Sequence, residues 1–301
     1  MSGRIGFVGL GNMGEPMARL LAGAGHDLHV YDAGPAARER LDGVAGIRVA
    51  KTAADVADGA DAVILMLPDS DVVEAVLLGD GLLGRAVPPT VIVDMSSSVP
   101  ARTRALADRA AERGVPLIDA PVSGGVTGAR GGALTIMVGG PAETVARVRP
   151  VLDVLGSSVV HAGERPGAGH AVKALNNLMS AAHLLVSSEA LIAGREFGLD
   201  PAVMLDIVNG SSGRSGSTQT KWPRFILPGG FDSGFALRLM LKDMRVALDL
   251  EDATGTPAPL SRAAVDAWAE AAEALPADAD HTEIARWLEA RRAAGPTRTG
   301  E

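Results

Sequence analysis

Short apolar runs rich in β-branched residues alternate with alanine-rich stretches of helical period through the first half of the chain. Arg4–Gly9, Asp27–Asp32, Ala62–Leu67, Val91–Asp94, Pro116–Ala120, Leu134–Val138 and Ser158–His161 read as strands. Strand, crossover helix and strand in repetition predict a largely parallel, doubly wound α/β sheet. One helix is sharply punctuated: Ser98 stands where a cap would, Pro100 opens the run and Gly114 follows it.

Past Gly163 the alternation stops. The stretch Gly169–Phe197 contains no proline and, after its first residue, a single glycine, Gly194, and predicts one helix of ~45 Å at 1.5 Å per residue. Small and apolar residues on several of its faces predict burial all round, in part against a second subunit. Pro201–Val208, Leu237–Thr254, Leu260–Ala274 and His281–Ala293 read as further helices, with no strand among them. The expected organisation is an α/β domain over 1–163, an all-helical domain over 164–294 joined through the long helix, and a flexible tail over 295–301.

Composition narrows the chemistry. Of 301 residues 47% are apolar and 21% charged, which places the chain among globular proteins. A net charge of −8 provides no basic excess for nucleic acid. Zero cysteines remove disulfides, thiolate nucleophiles and zinc–thiolate sites together. The six histidines show no metal-ligand spacing, so no metal is expected. No segment reads as a membrane span or a secretion signal, and the expected location is cytoplasmic.

Gly9-Leu10-Gly11-Asn12-Met13-Gly14 lies directly between a strand and a helix. In that context G-x-G-x-x-G allows a tight turn, brings backbone close to a pyrophosphate and sets the charge at a helix N-terminus. Asp32 ends the next strand 18 positions after Gly14, near the ~20 expected for the acidic residue that accepts ribose hydroxyls. No arginine follows until Arg38, so NAD is expected over NADP, whose 2′-phosphate would meet like charge. A second glycine-rich motif, Asp119-Ala120-Pro121-Val122-Ser123-Gly124-Gly125, offers Ser123 and the N–H groups of Gly124 and Gly125 as a small nest for a carboxylate, or forms a ligand-free turn. Lys173 and Asn177 are four apart near the start of the long helix. They share one face, where an amine could move a proton and an amide orient a substrate oxygen. On an otherwise apolar helix such a pair is costly unless it lines a cavity.

Four segments, GLGNMGEPMA, DAPVSGGVTGARGGALTIMVGG, GAGHAVKALNN and LMLKDMRVALD, occur in order across residues 9–249 and resemble the four signatures of the β-hydroxyacid dehydrogenase family. The resemblance implies an N-terminal Rossmann domain, an all-helical C-terminal domain, and a homodimer or homotetramer. It implies hydride transfer between C3 of a small 3-hydroxy acid and C4 of nicotinamide. Lys173 matches the family's catalytic lysine, Asn177 its substrate-orienting asparagine, and Ser123, Gly124 and Gly125 its carboxylate loop. Lys242 matches a lysine near nicotinamide and substrate, Phe235 a pocket phenylalanine, and Leu67, Pro68 and Ser97 cofactor-lining positions. Val72 stands where a cofactor-contacting asparagine is frequent.

For oxidation Lys173 must be neutral to accept the hydroxyl proton, a state favoured by desolvation or by positive neighbours such as Lys242 and oxidised nicotinamide. His170 is expected to be a structural or surface residue and His183 a hydrogen-bonded core residue. Reduction of a tartronate- or succinate-type semialdehyde and a catalytically idle dinucleotide-binding scaffold are the alternatives; Lys173 argues against the idle scaffold. The run Asn209–Arg214 resembles that of 3-hydroxy acid enzymes with a tryptophan two positions further on, but Gly216 stands there. The expectation is an open, more polar pocket that accepts bulkier or hydroxylated 3-hydroxy acids, unless Trp222 supplies the missing wall.

Overall fold

Strands that are apolar on both faces need helices on both sides, and the first half of the chain supplies them. In the computed structural model, which describes residues 3–79, 81–84 and 89–293, the strands are β1 (Arg4–Val8), β2 (Asp27–Tyr31), β3 (Ile47–Val49), β4 (Ala62–Leu65), β5 (Ile92–Asp94), β6 (Leu117–Asp119), β7 (Val122–Ser123), β8 (Thr135–Gly139) and β9 (Ser158–Gly163). The tail expected over 295–301 lies outside the described residues. The strand order is β3-β2-β1-β4-β5-β6-β8-β7, with β9 also on β8. The first six strands of that order run parallel, in the arrangement of a Rossmann sheet. Then the direction reverses: β8 pairs antiparallel with β6 and β7, and parallel with β9. The sequence pattern misses β3 and β7, which have three and two residues and carry too little periodicity to register.

Helices α1 (Gly14–Gly23), α2 (Pro35–Glu39), α3 (Ser70–Glu74), α4 (Pro100–Ala111), α5 (Gly125–Gly131) and α6 (Ala142–Leu155) cross between these strands. Alternation along the strands divides the core. Ile5, Phe7, Ile64 and Val93 pack with Met17 and Leu21 of α1 and Leu152 of α6, whereas Val8, Val63, Leu65 and Ile92 pack with Leu106 and Ala110 of α4. The expected Ser98 cap of α4 is corrected. Ser98 Oγ donates to Asp94 Oδ2 at 2.8 Å, while Ser70 Oγ accepts the N–H of Val99, the residue that precedes α4, at 2.8 Å. A buried carboxylate outcompetes the helix end for the hydroxyl.

The remainder is helical: α7 (Ala168–Glu196), α8 (Pro201–Asn209), a π-helical segment Ser217–Ile226, α9 (Leu237–Ala253), α10 (Pro259–Ala274) and α11 (Ile284–Ala293). The chain divides into two compact units, one ending at Lys173 and the other starting at Ala174, and α7 runs through the division. Burial all round α7 is not what the single chain shows. One stripe is buried, and Val172, Met179 and Val186 are 43%, 56% and 57% exposed. His183 is exposed as well, which corrects the expectation of a core histidine. Among the described residues no helix is long and apolar enough to cross a membrane.

Candidate active site

The glycine motif runs from the end of β1 into α1, and its glycines perform different tasks. Gly9 has φ +99°, a conformation open to glycine at little cost, and its N–H donates to the Tyr31 carbonyl at 2.9 Å. A Cβ on Gly14 would lie 1.9 Å from the Gly9 carbonyl oxygen, so the turn closes only with glycine there. A Cβ on Gly11 would meet nothing within 4 Å. The loop therefore presents bare backbone to open space at the start of a helix, a cradle that fits a pyrophosphate. A cavity of about 590 Å³ opens beside it, lined in part by Gly11, Asn12, Arg19, Arg40 and Arg130. Glu15 bonds both Arg19 and Arg40, and these contacts hold its carboxyl below the ordinary carboxylate range.

Asp32 follows β2 and ties the loop down. Its Oδ2 accepts the Leu10 N–H and its Oδ1 the Gly34 N–H, both at 2.7 Å. A carboxylate has about four acceptor sites, which leaves capacity for ribose hydroxyls. The Arg38 guanidinium donates to the carbonyls of Asp32 and Ala33 and lies 5.4 Å over the Tyr31 ring. Leu67 and Pro68 follow β4 and Ser97 follows β5, so all are at the carboxyl ends of parallel strands, the edge where open α/β sheets bind ligands. The Leu67 N–H donates to Ser96 Oγ at 2.9 Å. Val72 is in the first turn of α3 and 36% exposed.

Ser123 ends β7, and Gly124 and Gly125 both have positive φ, +128° and +61°, a geometry reserved in practice for glycine. The loop belongs to the motif that starts at Asp119, a residue whose role sequence reasoning missed. Asp119 is fully buried. Its Oδ1 accepts the Gly167 N–H at 2.6 Å and its Oδ2 the His170 N–H at 2.7 Å, satisfying donors at the start of α7. Burial raises its carboxyl above the ordinary range, against the pull of those bonds. His170 is buried and structural: Nδ1 pairs with Thr103 Oγ1 at 2.9 Å, and Nε2 with the Ser96 carbonyl at 3.0 Å. Lys173 follows one turn later, 9% exposed.

Within the second unit Asn177 is 5% exposed, and its Nδ2 donates to Asp243 Oδ2 at 2.6 Å. Asp243 is a second residue missed by the sequence reading. Its signal was present beside Lys242, whose Nζ lies 3.4 Å from Asp243 Oδ1. The Phe235 ring packs edge-on against His281, with centroids 5.8 Å apart. Trp222 is held away from Asn177. Its indole is buried and Nε1 donates to Ser188 Oγ at 3.2 Å, and Ser188 stands 11 residues beyond Asn177 on α7, ~16 Å along the axis. Gly216 is exposed, and a Cβ there would meet nothing within 4 Å. Among the described residues no group of three or more His, Asp or Glu is placed to hold a metal ion.

A glycine cradle at a strand–helix junction, an acidic residue after β2 and a second, all-helical unit in the same chain together define a nicotinamide-dependent oxidoreductase. Residues 4–163 match the model of the NAD-binding domain of 6-phosphogluconate dehydrogenase, and residues 167–288 that of the NAD-binding region of NADP-dependent 3-hydroxyisobutyrate dehydrogenase. The chain is 41% identical to 3-hydroxyisobutyrate dehydrogenase of Pseudomonas aeruginosa over 92% of its own length and 94% of that protein's. It is 40% identical to 2-(hydroxymethyl)glutarate dehydrogenase of Eubacterium barkeri, covering 86% and 85% of the two chains. The structure of Mycobacterium tuberculosis 3-hydroxyisobutyrate dehydrogenase with L-serine superposes with a TM-score of 0.89 at 35% identity, over 96% and 99% of the chains. The chain belongs to the β-hydroxyacid dehydrogenase family, NAD-dependent oxidoreductases acting on CH–OH groups.

Proposed function

We propose that this chain oxidises a small 3-hydroxy acid, 3-hydroxyisobutyrate or a bulkier or more polar analogue, with Lys173 as the proton acceptor. The observation that carries this reading is the pair Lys173 and Asn177, both buried and one turn apart on α7, on a helix whose buried stripe is otherwise mostly apolar. Ser123 and the backbone of Gly124 and Gly125 hold the substrate carboxylate, and Asn177, oriented by Asp243, holds the hydroxyl oxygen. When bound, NAD⁺ supplies the hydride acceptor. Lys173 takes the hydroxyl proton as the C3–H bond breaks, and in reduction of the product semialdehyde it returns that proton. Gly9–Gly14 and Asp32 hold the dinucleotide, with Leu67, Pro68 and Ser97 along its path and Lys242 near the substrate.

Assembly as a homodimer or homotetramer belongs to the same reading, supported by the exposed Val172, Met179 and Val186 that recur every seven residues on α7. So does a cytoplasmic location, where a nicotinamide-dependent enzyme meets its nucleotide pool. Screening 3-hydroxy acids with NAD⁺ near pH 9 at 340 nm, and small semialdehydes with NADH, tests the activity. No turnover with any member of either panel would overturn it.

A further inference from the structure

The π-helical segment Ser217–Ile226 lies against α7 through three polar contacts: Ser217 Oγ to the Ser180 carbonyl at 3.5 Å, Lys221 Nζ to Ser180 Oγ at 2.7 Å, and Trp222 Nε1 to Ser188 Oγ at 3.2 Å. Ser180 stands three residues beyond Asn177, so the two are neighbours on one helix face, with Cβ atoms ~5–6 Å apart. Thus an ammonium is held within reach of the position proposed to bind the substrate oxygen.

That ammonium has no ion-pair partner among the described residues. Lys221 is largely buried, and among the described residues no carboxylate lies within ion-pair distance. Of its three donors one is used, by a neutral hydroxyl. Asp280 faces it from beyond that distance, and its oxygens already accept from Ser233, Gly234, Phe235 and Thr282. His281, the other titratable neighbour, is held neutral by burial. Desolvation pushes Lys221 down to about 8, so at neutral pH the side chain is still mainly charged and carries the cost of a buried ion without a partner. A hydroxyl contact alone needs no such charge.

We propose that Lys221, seated on Ser180, recognises a second carboxylate on the substrate, so that this enzyme favours 3-hydroxy acids with an acidic side arm over those with an apolar one. The proposal rests on the 3-hydroxy acid reading above and names the substrate class within it. Gly216 stands where the family pattern has a tryptophan, with open space around its Cα, and the Trp222 indole is bonded to Ser188, eleven residues beyond Asn177.

The test compares 2-(hydroxymethyl)succinate and 2-(hydroxymethyl)glutarate with 2-(hydroxymethyl)pentanoate, which lacks the second charge, on the full-length enzyme with NAD⁺. The diacids should exceed the pentanoate in kcat/KM by ~10-fold or more, the scale of a buried charge pair, and Lys221→Met should reduce that ratio by ~10-fold or more while Lys221→Arg keeps most of it. Equal kcat/KM for diacid and pentanoate in the wild type, or a ratio unchanged in Lys221→Met, would overturn the proposal and leave the parent reading intact. Turnover of none of the three would sink the parent reading on these substrates. The binding claim is then decided on the wild-type protein by NMR of ¹³C-labelled lysine: 2-methylglutarate should raise the Lys221 pKa and 2-methylpentanoate should not. Identical titrations with the two would overturn it.

Discussion

The glycine loop of the first unit and the polar stripe of α7 are built from opposite materials. The loop offers backbone groups, tied down from outside by the Asp32 carboxylate, and its glycines contribute by the absence of side chains: a Cβ at Gly14 would strike the Gly9 carbonyl at 1.9 Å. On α7 and the π-helical segment against it the backbone is committed to the helix, and the proposed chemistry depends on side chains fixed by distant partners, Asn177 by Asp243 and Lys221 by Ser180. A backbone site should thus fail through volume and a side-chain site through charge or hydrogen bonding. Gly14→Ala gives the largest effect, since the loop cannot close: no measurable NAD binding, and loss of several kcal/mol on the scale of overpacked cores. Gly11→Ala, with open space around it, should keep the melting temperature and still weaken NAD binding by roughly 10-fold, as a methyl blocks the approach of the pyrophosphate. Calorimetric titration and thermal melts on both variants separate the roles, and equal melting temperatures would merge them.

Lys173→Ala inverts the pattern. It should reduce kcat by at least the ~100-fold of a lost proton acceptor and leave NAD affinity nearly unchanged; retained turnover would move the role to another group. Asp32→Ser is intermediate, because Asp32 serves both kinds of site. It accepts the Leu10 and Gly34 N–H groups and is the proposed acceptor of the ribose hydroxyls. Its replacement should narrow the preference for NAD over NADP by ~10-fold, the scale of one charge-assisted bond, measured as the ratio of kcat/KM values. An unchanged ratio would confine Asp32 to tying the loop. Gly216→Trp should be milder, lowering kcat/KM for bulky 3-hydroxy acids a few-fold relative to 3-hydroxyisobutyrate, on the scale of a changed pocket wall.

The same contrast decides what was legible in the sequence. Gly9, Gly11 and Gly14 occupy fixed offsets from β1 and from Asp32, so the local sequence carried the turn between β1 and α1, together with the parallel strands other than β3 and with α7. Asp119 and Asp243 are single carboxylates whose partners, Gly167 with His170 and Asn177, lie 48, 51 and 66 residues away; no local period marks such pairs. The reversal of β8 against β6 was equally hidden, since strand direction is set by connections and not by side-chain alternation. His183 misled for a related reason: a polar residue on an apolar helix reads as buried, but the exposed stripe of Val172, Met179 and Val186 shows that apolar character on α7 does not mark the inside of a single chain.

The smallest effect is a dependence of stability on pH that one residue of the second unit carries. His281 is buried against Phe235, with Nδ1 2.9 Å from Ser233 Oγ, and burial pushes its pKa from 6.5 to about 4. Between those values the unfolded chain binds a proton that the folded chain refuses. Stability is therefore full above pH 6.5 and lost as pH falls toward 4, by ~2 kcal/mol for a shift of this size after allowance for its coupling to Asp280. Lys221 has the same sign in the alkaline window, with stability lost as pH falls from 10.5 toward its folded value of about 8. The first unit carries acid-sensitive groups of its own, His29 and Glu15, whose folded pKa values are also lowered, so the contribution of His281 is isolated by substitution. Thermal melts of wild type and His281→Gln from pH 7 to pH 4 test this, because glutamine keeps a polar side chain but cannot titrate. The variant should lose a few degrees less than the wild type over that range, whereas parallel curves would mean that His281 protonates without cost in the folded chain.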